Sequence, residues 1–372
     1  MDKLILPDYS RNQCAVAAEI LKRFGVNNGN SSLNIINQSK KKLSLVVVDG
    51  LGWNLFSKTN VPNGIEARKI TSVFPSTTAT SIVSLMTGLS PGSHGIIGYR
   101  SFLKEVGSLV KMLEFTYAPS HSDHLLAEIS EIEQMFNVKN IFMRLRQKHV
   151  KSAVLIPDFL VNTSYSKLIY RGAYDIQGYS NIWEAFLLYR KLLENPRIRF
   201  ISMYIPDVDT IQHAYGFDSD ISRESASYIL NKLYSIHNSK RRYADAIITS
   251  DHGHITLGKR IDMKANRALN AKLDIPPYGD GRAPLFRSRE NIAQELSQYN
   301  LRTFGRKDFS ALFGKIDDVI APSMPDVVGV PLDDSYYEYD FKLKPRRYPS
   351  TMKSNHGGLS AHEMEIPLLV ID

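Results

Sequence analysis

Seven side chains able to hold a cation or act as a nucleophile, Asp49, Thr78, Asp209, His213, Asp251, His252 and His356, are scattered over most of a 372-residue chain. Each is sited just after a short apolar run. Carboxylate and imidazole donors suit divalent metals, and a hydroxyl among them becomes a nucleophile once its proton is lost. The set is sufficient for two divalent cations and one attacking oxygen. The clearest segments read LSLVVVDG, MYIPDVDTIQHAYG, AIITSDHG and NHGGLSAHE. In a parallel α/β sheet, side chains just past the strand carboxyl ends meet in one crevice however far apart they lie in sequence.

Each residue also has a plainer use. Asp49, ahead of Gly50, equally caps a following helix by accepting a backbone N–H. Asp209 and His213 are four apart, so one helical turn sets them on one face, to grip a cation or to form a surface ion pair. Asp207 competes with Asp209, but its partner at that spacing is Ile211, which binds no metal. Asp251 and His252 are adjacent, which in a strand or helix points them apart; in a turn led by Ser250 and relaxed by Gly253 both reach one ion. His356 precedes two glycines, whose freedom lets backbone approach closely, and is a ligand or part of a plain turn. Thr78 opens a helical pattern behind a Pro75-led loop, where first-turn amides and the helix dipole favour an anion such as phosphate. Thr77, Thr78 and Thr80 are also ordinary N-cap residues. No Ser-His-Asp set or Walker-type glycine loop is available to activate a hydroxyl, and a metal can do so by lowering its pKa.

Bringing these residues together requires strands that end at one edge. Runs at Leu45 to Val48, Ala153 to Ile156, Phe200 to Ile205, Ala246 to Thr249 and Leu368 to Ile371 predict buried parallel strands. Amphipathic patterns at Asp123 to Phe136, Asn181 to Leu193 and Ser222 to Ile236 predict helices between them. The alternation predicts a doubly wound α/β fold with a mostly parallel central sheet flanked by helices. Residues 1–254 and 351–372 are expected to form the catalytic core. Residues 255–350, with PPYGDGRAPLF, a helix near Glu290 to Gln298 and the Tyr-rich DDSYYEYDFKLKPRRYP, are expected to form a small inserted cap that selects substrate.

A content of 43% apolar and 23% charged residues supports a sizeable globular core. The single cysteine, Cys14, excludes an internal disulfide and a Cys-rich zinc cluster, so a metal must be held by His and carboxylates. MDKLILPDYSRN lacks a signal-peptide core and no run approaches the ~20 apolar residues that span a bilayer, so a cytoplasmic location without a membrane partner is expected. The net charge of +8 favours anionic partners. Basic pairs such as Arg241–Arg242 and Arg346–Arg347 are dispersed, which suits a solvated surface better than a nucleic-acid groove, and no stable nucleic-acid complex is expected.

DGLG at residues 49–52, FPSTTATSIVSLMTGLSPGSHGI, PDVDTIQH, TSDHGH and HGGLSAHEMEIPLLV stand in the order and rough spacing of the type I phosphodiesterase/nucleotide pyrophosphatase family of the alkaline phosphatase superfamily. From Asp49 onward the chain resembles that family, on motifs that are individually short but jointly specific. The resemblance implies an alkaline-phosphatase-like fold and two Zn2+ ions, with Mn2+ as a substitute. One ion would be bound by Asp49, Thr78, Asp251 and His252, the other by Asp209, His213 and His356. It also implies Thr78 as nucleophile, being the third residue after Phe74–Pro75 and ten before Gly88, with Thr77 the nearest alternative. One metal would then hold Thr78 as an alkoxide for in-line displacement, and water would hydrolyse the resulting phosphothreonine. Where nucleotide pyrophosphatases carry an asparagine that binds a phosphate oxygen, counting from Thr78 reaches Tyr99; its hydroxyl and neighbouring Arg100 are the expected substitutes. This departure reopens the choice between diesters and monoesters, and the lack of an evident third, magnesium-like site leans toward diesters.

The expected reaction is hydrolysis of phosphodiester or pyrophosphate bonds in a small anionic, nucleotide-like substrate. Tyr278, Tyr336, Tyr337 and Tyr339 either stack a base or pack the insert's own core, and Arg282 is a phosphate contact or a structural ion pair. Alternatives on the same scaffold are phosphomonoester, phosphonate and sulfate-ester hydrolysis. A metal-stabilised nucleic-acid-binding protein is the reading from another class, and it has no use for a nucleophile.

Overall fold

Seven short runs form a central sheet: β1 (Leu43–Val48), β2 (Glu66–Thr71), β3 (Ser152–Pro157), β4 (Asp175–Tyr179), β5 (Phe200–Ile205), β6 (Asp245–Thr249) and β7 (Glu365–Ile371). The structure is a computed structural model that describes residues 4–371, apart from 28, 30–31, 36–41, 62–64, 121, 129, 137, 241–242 and 342–351. The basic pairs Arg241–Arg242 and Arg346–Arg347 lie outside the described residues. In space the strands run β2-β7-β6-β1-β5-β3-β4. Every residue of β1, β3 and β6 is buried, as a strand covered on both faces requires.

Side chains alternate between two cores. Leu45 and Val47 point to one, with Val154, Ile156 and residues of helices α1 (Gln13–Arg23) and α2 (Thr78–Thr87). Val46 and Val48 point to the other, with Leu155, Met203 and the apolar stripes of α3 (Ile182–Glu194) and α5 (Asp220–Lys240). Between β5 and α5 lies α4 (Asp207–Tyr215). The helices expected at Asn181 to Leu193 and Ser222 to Ile236 are thus α3 and α5.

Three expectations change. The strand expected at Leu368 to Ile371 is not parallel: β7 pairs antiparallel with both β2 and β6. The expected helix Asp123 to Phe136 is a 3-10 turn, Leu125–Glu128, and a one-turn helix, Ile132–Met135. His124 adopts a φ of 59° and Glu131 is extended, so Leu126, Ile132 and Phe136 reach the core from two short turns instead of one helix face. The helix near Glu290 to Gln298 is a single turn, Ala293–Leu296.

A second sheet, antiparallel throughout, runs in the order 301–305, 327–331, 283–287, 275–280, 100–103, 108–111, 116–117. It crosses the division expected at residue 255, since Arg100 pairs with Gly279. Its own core includes Leu285, Phe309, Phe313 and Val328. Ile255–Thr256 pairs with Ser354–Asn355, which carries the chain back to His356. No described helix is long and apolar enough to cross a membrane.

Candidate active site

The carboxyl edge of the central sheet gathers all seven sequence-predicted residues. Asp49 follows β1, Asp209 and His213 lie on α4 just past β5, and Asp251 and His252 follow β6. Thr78 is the first residue of α2, which follows β2. His356 reaches the same edge because β7 is antiparallel: the segment entering an antiparallel strand lies where the segments leaving parallel strands lie. The turn after β1 is made close by Gly50, at φ 71°, where a Cβ would stand 2.9 Å from the Cα of Asp209. Gly253 has the same need after β6, since a Cβ there would stand 2.1 Å from the His362 carbonyl oxygen.

The imidazoles have a common orientation. Nδ1 of His213 faces the Ser354 carbonyl at 2.9 Å, Nδ1 of His356 the Ser76 carbonyl at 3.1 Å, and Nδ1 of His252 the Gly253 carbonyl at 3.2 Å. A carbonyl only accepts, so each Nδ1 carries a proton, and in the neutral ring Nε2 is the atom that presents a lone pair. His254 departs from the pattern: its Nε2 lies 2.7 Å from Asp209 Oδ1, and because a carboxylate only accepts, its proton is on Nε2, while Nδ1 faces Ser354 Oγ at 3.1 Å.

The Nε2 atoms converge on carboxylates. His252 Nε2 lies 3.4 Å from Asp49 Oδ1, 3.2 Å from Asp251 Oδ2 and 3.1 Å from Thr78 Oγ1. Asp209 Oδ1 lies 3.4 Å from His213 Nε2, 3.8 Å from His356 Nε2 and 2.7 Å from His254 Nε2. Donors bound to zinc at ~2.0–2.1 Å in tetrahedral geometry stand about 3.3 Å apart, so the spacings of 3.1 to 3.8 Å suit donors that share a cation. The 2.7 Å spacing is that of a hydrogen bond and marks His254 as an orienting partner of Asp209.

Charge balance makes the same demand. Asp49 Oδ1 and Asp251 Oδ2 are buried without a hydrogen-bond partner. Burial, and then the charges of Asp251 and Asp209, push the Asp49 carboxyl well above the usual carboxylate range. Burial pushes Asp209 in the same direction, but His213, His254 and His356 outweigh it and hold Asp209 below that range. Burial lowers His254 to about 4 and places His356 well below the ordinary histidine value, so both are neutral at pH 7. Buried carboxylates facing neutral imidazole lone pairs fit divalent cations, which need those donor types in those protonation states. Asp209 belongs to both groups of converging donors, with His213, His254 and His356 on one side and Asp49 and His252 on the other.

The threonines divide their labour. Thr77 holds the N-cap position of α2 without a side-chain capping bond, and its hydroxyl serves Asp280. Thr78 turns its hydroxyl toward His252, while Tyr165 donates to the Thr78 carbonyl at 3.2 Å and the Ala79 carbonyl at 2.9 Å. Ser76 bonds the Gly358 carbonyl at 2.8 Å, tying this loop to the His356 loop.

Tyr99 and Arg100 sit where the chain enters the second sheet. The Tyr99 hydroxyl donates to Glu114, and the Arg100 guanidinium lies 5.2 Å from the Tyr99 ring centroid. Their link toward Thr78 runs through Asp280, which accepts the Tyr99 N–H at 3.1 Å and whose carboxyl burial raises to about 6. Arg282 is a structural ion pair: its Nε and Nη2 each lie 3.1 Å from a Glu363 oxygen, both side chains fully buried. Tyr278 and Tyr337 are buried in the second sheet's cores. His254 and Asp280 were missed in sequence. The i, i+2 spacing of His252 and His254 within TSDHGH was a usable signal, since extended chain places such residues on one face; Asp280 had none.

No curated protein matches the chain by sequence. Solved structures with the same fold include human ectonucleotide pyrophosphatase/phosphodiesterase 5, with TM-score 0.67 and 17% identity over 88% of this chain and 87% of that one. Its murine counterpart, as an inactive variant in complex with AMP, gives 0.65 and 16% over 89% and 88%. Phosphonoacetate hydrolase from Sinorhizobium meliloti 1021 in complex with phosphonoformate gives 0.65 and 15% over 89% and 90%. These likenesses establish an alkaline-phosphatase-like α/β fold. The profile "Type I phosphodiesterase / nucleotide pyrophosphatase" matches residues 43–357, from β1 to the glycine after His356, and the chain therefore belongs to the type I phosphodiesterase/nucleotide pyrophosphatase family.

Proposed function

We propose that the protein is a two-zinc hydrolase of phosphodiester or pyrophosphate bonds with Thr78 as its nucleophile. The observation that carries this reading is the convergence of imidazole lone pairs and unpartnered carboxylate oxygens around the Thr78 hydroxyl. Asp49, Asp251 and His252, with Thr78, would hold one cation, and Asp209, His213 and His356 the other. When bound, the cations supply the positive charge that lowers the hydroxyl pKa and neutralises phosphoryl oxygens.

The chain's own residues do the rest. Thr78 stands at the first position of α2, where free amide N–H groups and the helix dipole favour an anionic phosphoryl group. Tyr165, bonded to the Thr78 and Ala79 carbonyls, fixes the backbone under the attacking oxygen. Thr78 Oγ1 bonds to phosphorus as the bond to the leaving oxygen breaks, and hydrolysis of the phosphothreonine returns the hydroxyl. A small anionic substrate accords with the AMP and phosphonate complexes of the structural neighbours.

The test combines metal content with turnover. Zinc-loaded protein should carry two ions per chain and hydrolyse bis-p-nitrophenyl phosphate faster than p-nitrophenyl phosphate, p-nitrophenyl sulfate or phosphonoacetate. Thr78→Ala should lose at least about 10³-fold in kcat with zinc content held, and Thr77→Ala much less. Full activity in Thr78→Ala, or a monoester rate far above the diester rate, would overturn the nucleophile or the substrate class respectively.

A further inference from the structure

A cavity of about 90 Å3 opens beside the cluster, with Thr78 in its wall. Its other walls include Ile82, Leu113, Leu160, Ile169, Tyr165 and Tyr204. Three of the hydroxyls along it are committed elsewhere, while those of Ser166 and Tyr170 also line it. Tyr165 donates to the Thr78 and Ala79 carbonyls, Tyr204 to Asp49, and Thr163 to the Leu160 carbonyl at 3.1 Å. Apart from the Thr78, Ser166 and Tyr170 hydroxyls, the surface left to a ligand is aliphatic and aromatic carbon. Two walls, Thr78 and Tyr204, also touch the metal-binding cluster, so the cavity is continuous with the reaction centre.

We infer that this cavity holds a short alkyl ester group retained on phosphorus, and that the preferred substrates are phosphodiesters with one small apolar substituent in place of a nucleoside. The inference rests on the hydrolase reading above. In an in-line displacement the leaving oxygen stands across phosphorus from the attacking one, so a group lodged beside Thr78 is the one retained. Size limits it: an apolar cavity of about 150 Å3 accommodates benzene, so 90 Å3 takes a chain of a few carbons. A nucleobase is larger, and most of its edge donors and acceptors would face a largely carbon wall unpaired.

The test is a series of p-nitrophenyl phosphodiesters whose second ester is methyl, ethyl, propyl, butyl or thymidine 5′-yl, assayed with zinc-loaded protein. The leaving group is constant, so differences report the retained group. We expect kcat/KM to rise about threefold to fourfold per methylene up to butyl, and the butyl ester to exceed the thymidine ester. A flat alkyl series, or a thymidine ester above the butyl ester, overturns the inference and leaves the hydrolase reading standing. Leu113→Trp and Leu160→Trp, at half-buried wall positions, should collapse the butyl-to-methyl ratio toward one; a ratio that persists in both overturns the placement. Should no ester be turned over, the hydrolase reading fails, and calorimetric binding of methylphosphonate and butylphosphonate tests the cavity by itself. Tighter butylphosphonate binding by the same factor per methylene supports it, and equal binding overturns it.

Discussion

Replacing Asp49 by Asn should stabilise the protein without metal and destabilise it with metal. Asp49 Oδ1 and Asp251 Oδ2 lie 3.4 and 3.2 Å from the same His252 nitrogen, and the side chains are 2% and 0% exposed, so solvent screens little. Two charges no more than about 7 Å apart repel by at least about 2 kcal/mol at an effective dielectric of 20. Without a cation, Asp49→Asn removes that repulsion and should raise the thermal midpoint in EDTA by a few degrees. The pH sign follows from the raised Asp49 carboxyl. The native state binds the proton more tightly than the unfolded chain, so metal-free wild type loses stability as pH rises from the unfolded value near 4 toward the raised native one. The variant's advantage should therefore grow across that range and vanish below it. Zinc should reverse the order, since saturation to about 1,000 times Kd contributes about 4 kcal/mol to a native state that binds it, and the variant has lost a donor. The assay is thermal unfolding of both proteins, with EDTA and with zinc, from pH 4 to 8. If the variant is less stable than wild type in EDTA at pH 8, or if zinc raises both midpoints equally, the picture of a carboxylate cluster built around a cation is wrong.

Other outcomes follow from the same geometry. His254→Ala should weaken zinc binding by roughly 10- to 100-fold through loss of the Asp209 contact, read by chelator competition; unchanged affinity would remove His254 from the site. Arg282→Met should cost roughly 3–5 kcal/mol by leaving Glu363 charged and unpaired in the interior. Adding Glu363→Leu should recover much of that loss in chemical denaturation, and a double variant no better than the single would contradict it. Asp280→Asn should gain stability over wild type as pH rises from the unfolded carboxylate value to about 6, because the native Asp280 carboxyl is raised; midpoints that track each other across that window would argue against a buried, protonated Asp280.

Strand positions were legible because β1, β3 and β6 are covered on both faces and carry unbroken apolar runs. Strand direction was not: a buried strand has the same composition either way, so Leu368 to Ile371 gave no sign that β7 is antiparallel. The converging segments could be read because Asp49, Asp209, Asp251 and His252 each follow a strand. His356 precedes one, and its place depended on the hidden direction of β7. The pairing of Arg100 with Gly279 joins segments remote in sequence and leaves no local mark. Arg282 was undecided because its partner, Glu363, lies in another segment. Tyr278 and Tyr337 looked available to a ligand because aromatic residues in a polar stretch suit a binding face and a small core equally.

The place of β7 between β6 and β2 also bears on how the chain is made. Ile70 of β2 pairs with Ile366 of β7, roughly 300 residues later, and a ribosome adding about 5–20 residues per second needs roughly 15–60 s to cover that interval. Until then β2 has no sheet to join, and Thr78, which follows it, has no fixed seat. The sequence EARKIT, charged at Glu66, Arg68 and Lys69, suits such a wait, since charged side chains discourage a lone strand from pairing with other nascent chains.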